Sequence, residues 1–76
     1  MLINDEIRKV KEEQAKDSKN LMYYDLYLKY LHKMKKEYRI SNNKFLLEEK
    51  IKREIDLINS REELEDRIIT IKILLN

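Results

Sequence analysis

The stretch LMYYDLYLKYLHKMKKEYR, Leu21–Arg39, carries five tyrosines and six basic side chains in nineteen residues, and its reading decides the fold. On a helix turning about 100° per residue, Leu26, Tyr30, Tyr23, Met34, Tyr27, Tyr38, Leu31, Tyr24, Leu28 and Leu21 fill one arc of roughly 220°. Lys29, Lys33, Lys36, Asp25, His32 and Arg39 take most of the remainder, with Lys35 intruding. That arc is about twice the stripe of about 100° that a surface helix needs to face a core. One neighbouring helix covers about half of it. The rest must meet a third helix, a second copy of the chain, or a foreign protein.

Two readings of the tyrosines follow. In one they are core and boundary residues of a three- or four-helix bundle. In the other Tyr23, Leu26, Tyr27, Tyr30 and Met34 form a protein–protein interface. Tyrosine suits that role because its ring can be buried while its hydroxyl stays wet, and it is enriched at interfaces.

Working outward, the 76-residue chain is 42% charged and 42% hydrophobic, with no Gly, Pro or Cys. A sandwich or barrel of short strands needs turn residues at short intervals. A disordered chain lacks this much apolar content. Helices alone use so much Leu, Ile, Lys and Glu with so little punctuation. The expected class is therefore all-α: one domain over residues 1–76, folded as an antiparallel helical hairpin or a small three- to four-helix bundle with coiled-coil-like packing.

The first arm is expected over about 4–39. Asn4 is placed to cap its start, and Ile7, Val10, Leu21, Tyr24, Leu28, Leu31 and Tyr38 fall on one three-and-four series. Gln14, Asp17 and Lys35 are polar members of that series. With no Gly or Pro near residues 17–20, the arm is read as continuous, the alternative being a break at Asp17-Ser18. The turn is expected at about 40–43, within RISNNKF. Ser41 would be the N-cap of the second arm, with Ile40 and Phe45 as a hydrophobic staple. The second arm, about 44–75, runs Leu47, Ile51, Ile55, Ile58 and then shifts phase to Leu64, Ile68, Ile71, Leu75. The shift falls where Ser60 and Glu63 match a capping box, which allows a break at 59–60. Glu62, Glu63, Glu65 and Asp66 would complement the dipole of the new helix, or pair with Lys16 and Lys19.

No catalytic, cofactor-binding or metal-binding residue is expected. The sequence has no nucleophile–base arrangement, Gly-rich phosphate loop or metal-ligand spacing. His32 is the only histidine and supplies one ligand at most. The segment KREIDLINSREELEDRIITIK is similar to the R-x-x-I-D-x-I-D pattern of helical chorismate mutases. It departs from that pattern at Asn59, where a second Asp belongs, and Arg53, Arg67 and Lys72 stand too close together. That reading is rejected, and no small-molecule substrate is expected.

The longest apolar run falls far short of the roughly 20 residues that span a bilayer. The start, MLINDEIRKV, lacks a signal peptide's apolar region. A cytoplasmic protein of a bacterium, or of a phage in its host, is the expected setting. The excess of Lys, Asn and Ile, which have AT-rich codons, points to an AT-rich genome, and small proteins of this type are common in phages and mobile elements. Net charge is only +2. The expected function is protein–protein contact, by self-association or by binding a larger partner as regulator, inhibitor or assembly factor. The alternative is weak nucleic-acid binding by the basic ridge Lys29, Lys33, Lys36 and Arg39. Four phosphate contacts would give a salt slope of only about −3.6.

Overall fold

Four α-helices make up the computed structural model, which describes residues 2–76: α1 Leu2–Lys16, α2 Leu21–Ile40, α3 Lys44–Ser60 and α4 Leu64–Leu75. No strand occurs among the described residues. The all-α class is thus established, and of the two architectures expected it is the bundle.

Side-chain contacts fix the topology. Glu6 of α1 meets Tyr27 of α2, and Gln14 meets Asp25, so α1 runs antiparallel to α2. Glu54 meets Tyr30 and Asn59 meets Tyr27, so α3 is antiparallel to α2 as well. Arg67 meets Tyr23 near the start of α2, and the Leu75 carbonyl meets Lys33 further along, so α4 runs parallel to α2. The helices alternate up, down, up, down, with α2 as the common neighbour of the other three.

This arrangement supplies the cover that the wide apolar arc requires. Tyr24 points towards the α1 side, Tyr27 reaches both α1 and α3, Tyr30 reaches α3, and Tyr23 reaches α4. Ile3, Ile7 and Val10 of α1, Ile51, Ile55 and Ile58 of α3, and Ile71 of α4 close over them. Each such side chain contributes about 1.5–3 kcal/mol when fully buried. Leu47, Leu64, Ile68 and Leu75 of the second-arm series pack on the same core.

Several local expectations are corrected. Asn4 does not cap the first helix, because α1 already runs from Leu2 and takes the buried Ile3 with it. The first arm is not continuous: α1 ends at Lys16 and α2 begins at Leu21. Asp17 makes the break. Its carboxylate accepts the Lys19 backbone N–H at 3.1 Å, the Asn20 carboxamide at 2.6 Å and the Tyr24 hydroxyl at 3.3 Å. A short acid that gathers local donors offers the backbone an alternative to the helix. The Asn20 hydrogen bond, more than any other contact, holds the Asp17 carboxyl below its ordinary pKa. Gln14, another polar member of the seam, donates to the Asp25 carboxylate at 3.0 Å once the chain turns back.

The turn at 41–43 is also built differently. Ser41 closes α2, its N–H bonding the Tyr38 carbonyl at 3.3 Å, and Asn43 caps α3 by accepting the Leu46 N–H at 3.1 Å. With the cap two residues later, Ile40 and Phe45 no longer bracket it, and both stand exposed. Lys44 folds back over the end of α2 and donates to the carbonyls of Tyr38, Arg39 and Ser41. At the third junction α3 runs through Ser60, whose hydroxyl donates backwards to the Leu57 carbonyl at 2.8 Å. The break therefore falls at 61–63, and no capping box forms. Lys16 and Lys19 make no ion pair with the acidic start of α4; among the described residues the one ion pair is Arg8–Asp5, on the surface.

Candidate protein-contact surface

Of the five residues expected at an interface, Tyr23, Tyr27, Tyr30 and Met34 lie in the core of the chain itself, and Leu26 is half-buried. Tyr30 is 0% exposed and Tyr27 1%. Their arc is covered from within because the two breaks provide two more helices than a hairpin has. In the folded chain these rings are closed to a partner.

What the tyrosines do is geometric. Their rings form a tilted chain along α2, with centroids 5.0 Å apart for Tyr23–Tyr24, 5.8 Å for Tyr23–Tyr27 and 6.4 Å for Tyr27–Tyr30. Each hydroxyl reaches the edge of the core and meets a charged group outside α2. Tyr27 donates to Glu6 at 2.6 Å and accepts from Asn59 at 3.3 Å. Tyr30 donates to Glu54 at 2.7 Å. Tyr23 accepts from Arg67 at 3.3 Å, with that guanidinium 5.8 Å from the ring centre. A hydroxyl left without a partner at such a position costs about 1–3 kcal/mol, so the set specifies which helix lies where.

Burial, reinforced by the Glu6 and Glu54 carboxylates, raises the pKa of the Tyr27 and Tyr30 hydroxyls far above the ordinary tyrosine value. Tyr23 is raised by burial too, against the opposing hydrogen bond from Arg67. These hydroxyls are locked as neutral donors or acceptors, which suits positioning rather than proton transfer.

The surface has its own pattern at the α2–α3 turn. Glu6, near the start of α1, is level with Tyr27, and Leu75, at the end of α4, is level with Lys33. The last turns of α2 therefore project about 10 Å beyond both, at about 1.5 Å per residue. Tyr38 and Leu47, both half-buried, pack against the core at the base of this hairpin. Its outer face presents Ile40 at 77% exposure, Phe45 at 71% and Leu46 at 62%. The staple expected of Ile40 and Phe45 would have covered them; without it both are surface. The available signal was Ile40 on one side and Phe45-Leu46-Leu47 on the other of a turn that already had Ser and Asn caps.

Lys29, Lys33, Lys36 and Arg39 are exposed, as a basic ridge needs. The rings that would stack on bases are elsewhere: four of the five tyrosines are buried, and Tyr38 is half-buried beneath the Lys44 ammonium, 5.3 Å from its centroid. His32 is exposed on the same helix. Among the described residues no group of three His, Cys, Asp or Glu side chains is placed to hold a metal ion, and no helix is long and apolar enough to cross a membrane.

These features define a four-helix all-α protein whose polar chemistry holds its own helices in register. The chain matches no protein-family model, and neither the curated proteins nor the solved structures contain a match to it.

Proposed function

We propose that this chain is a non-enzymatic helical protein that acts by protein–protein contact, through the projecting α2–α3 hairpin rather than the tyrosine arc. The observation that carries the reading is the exposure of Ile40, Phe45 and Leu46 together at the end of the molecule. Large apolar side chains grouped at an exposed tip mark contact sites, because leaving them in water forgoes about 1.5–3 kcal/mol apiece. Lys36 and Arg39, both exposed, lie within one turn of Ile40 on α2, which favours a partner whose apolar pocket is rimmed by carboxylates. Self-association and capture of a larger protein are both forms of this function, and a role as regulator, inhibitor or assembly factor follows from occlusion or scaffolding at that tip. A cytoplasmic setting, in a bacterium or a phage-infected cell, belongs to the same proposal.

The test is a triple substitution, Ile40→Ser with Phe45→Ser and Leu46→Ser. Wild-type chain is expected to show either a mass above the monomer by light scattering or a retained partner in capture from its native host. The triple variant is expected to be monomeric and to retain nothing, with unchanged helicity. A wild-type chain that stays monomeric at high concentration and retains no partner would overturn the reading, as would a triple variant that behaves like wild type.

A further inference from the structure

Beside the projecting hairpin, α2 and α4 flank an open groove of about 550 Å³ lined by Leu26, Lys29 and Lys33 from α2, Lys72 and Leu75 from α4, and Asn76 just beyond it. Leu26 and Leu75 are half-buried, rest on the core and give it an apolar floor. Lys33 is committed within the chain, since its ammonium donates to the Leu75 carbonyl at 2.9 Å. Lys29 and Lys72 stand exposed, one on each wall, and neither has a carboxylate at ion-pair distance among the described residues. Two cations flanking an apolar floor call for an occupant with oil in its middle and negative charge at its edges.

The groove is not isolated. Lys29, Lys33, Lys36 and Ile40 follow one another at helical spacing along the same side of α2, so the pattern continues from the groove to the exposed tip. That stripe is about 16 Å long at about 1.5 Å per residue, the length of three helical turns. A compact small molecule would fill one end of it. A helix laid into the groove matches all of it, with anchors spaced i, i+4 and i+7.

We infer that the α2–α4 groove receives an acidic amphipathic helix of a partner protein, with its apolar residues on Leu26 and Leu75 and its carboxylates against Lys29 and Lys72. This inference rests on the protein-contact reading above and supplies the partner's chemistry. Nucleic acid fits the groove less well. Phosphates would leave the Leu26 and Leu75 floor wet, and no ring lies in the groove to stack a base.

The probe is a dye-labelled synthetic helix with leucines at i, i+4 and i+7 and glutamates on both flanks, titrated by fluorescence anisotropy near physiological salt. Saturable micromolar binding is expected. The Lys29→Glu, Lys72→Glu double variant, checked for native helicity, is expected to weaken it about tenfold or more. A probe with its leucines replaced by serine should weaken comparably. The inference is overturned if the leucine probe fails to saturate at millimolar concentration, or if the double variant binds it like wild type. Tighter binding by a single-stranded oligonucleotide of equal charge would also overturn it, in favour of the basic ridge. Failure of the parent reading looks different. The double variant keeps Ile40, Phe45 and Leu46, so a failed groove with partner capture still lost in the tip variant sinks the groove alone.

Discussion

The Tyr27 hydroxyl donates to the Glu6 carboxylate across 2.6 Å and joins the centre of α2 to the first turns of α1. Asn59 of α3 donates to the same hydroxyl at 3.3 Å and to Glu6 at 3.5 Å. Three helices therefore meet at one polar point on the margin of an otherwise apolar core. Removing the hydroxyl takes the shared partner from the half-buried Glu6 carboxylate and from the exposed Asn59, and leaves an apolar ring edge facing both. Tyr27→Phe is expected to cost about 1–3 kcal/mol. At this chain length the loss corresponds to a fall of about 4–8 °C in Tm per kcal/mol. Thermal melts followed by circular dichroism check it. Glu6→Gln keeps an acceptor for the hydroxyl and should cost less than Tyr27→Phe; the reverse order would show that the pair does not organise the junction.

The same burial predicts an alkaline limb to stability. Tyr27 and Tyr30 have folded pKa values raised far above the ordinary 10.0, so the folded chain keeps both protons at a pH where the unfolded chain has released them. A raised folded pKa contributes stability in full below the unfolded value, and that contribution is lost as pH climbs above it. Above about pH 10 each of the two should therefore remove up to about 1.4 kcal/mol of unfolding free energy per pH unit. Urea midpoints measured from pH 8 upward will show the decline. Lysine titration overlaps this range, so the diagnostic comparison is with Tyr27→Phe/Tyr30→Phe. That variant starts less stable but should decline with a shallower slope. Equal slopes would mean that the two tyrosines ionise normally in the folded chain.

How much of this was legible in the sequence depends on which force decided each point. Where burial decided, the reading carried over: Ile51, Ile55, Ile58 and Ile71 were set on the inner face by spacing alone, and all four are buried. The width of the α2 arc was legible for the same reason. What covers that arc was not, because it depends on the number of helices, which is set by two short loops without Gly or Pro. At the first loop a single carboxylate decides. Asp17 sits on the seam position of a continuous helix, and only the fold reveals that Lys19, Asn20 and Tyr24 all donate to it. At the α2–α3 turn, which the sequence does place, Ser41 and Asn43 are both competent caps, and a motif match does not choose between hydroxyl and carboxamide. A Ser41 cap would pack Ile40 against Phe45, whereas the Asn43 cap leaves both exposed. Ile3, fully inside the core, was missed because it precedes the expected cap at Asn4.

Arg67 offers the sharpest separation between charge and shape. Its guanidinium donates through Nε to the Arg61 carbonyl at 2.6 Å, through Nη2 to the Asn59 carbonyl at 3.3 Å and through Nη1 to the Tyr23 hydroxyl at 3.3 Å. One planar fork thus ties together the end of α3, the 61–63 loop and the start of α2, and it does so from α4, whose own N-cap makes no side-chain bond. Lysine carries the same charge, but its three N–H bonds diverge from a single nitrogen. It serves carbonyls gathered around one point, as Lys44 does at the end of α2. It does not reproduce a planar fork whose donors sit on three separate nitrogens. Arg67→Lys is therefore expected to lose most of what Arg67→Ala loses, about 1–3 kcal/mol. The loss should be local, seen as faster amide hydrogen exchange at 59–67 while the core amides of α2 keep their protection relative to global unfolding. If Arg67→Lys instead matches wild type in both stability and exchange, charge alone suffices at this junction and the fork geometry is incidental.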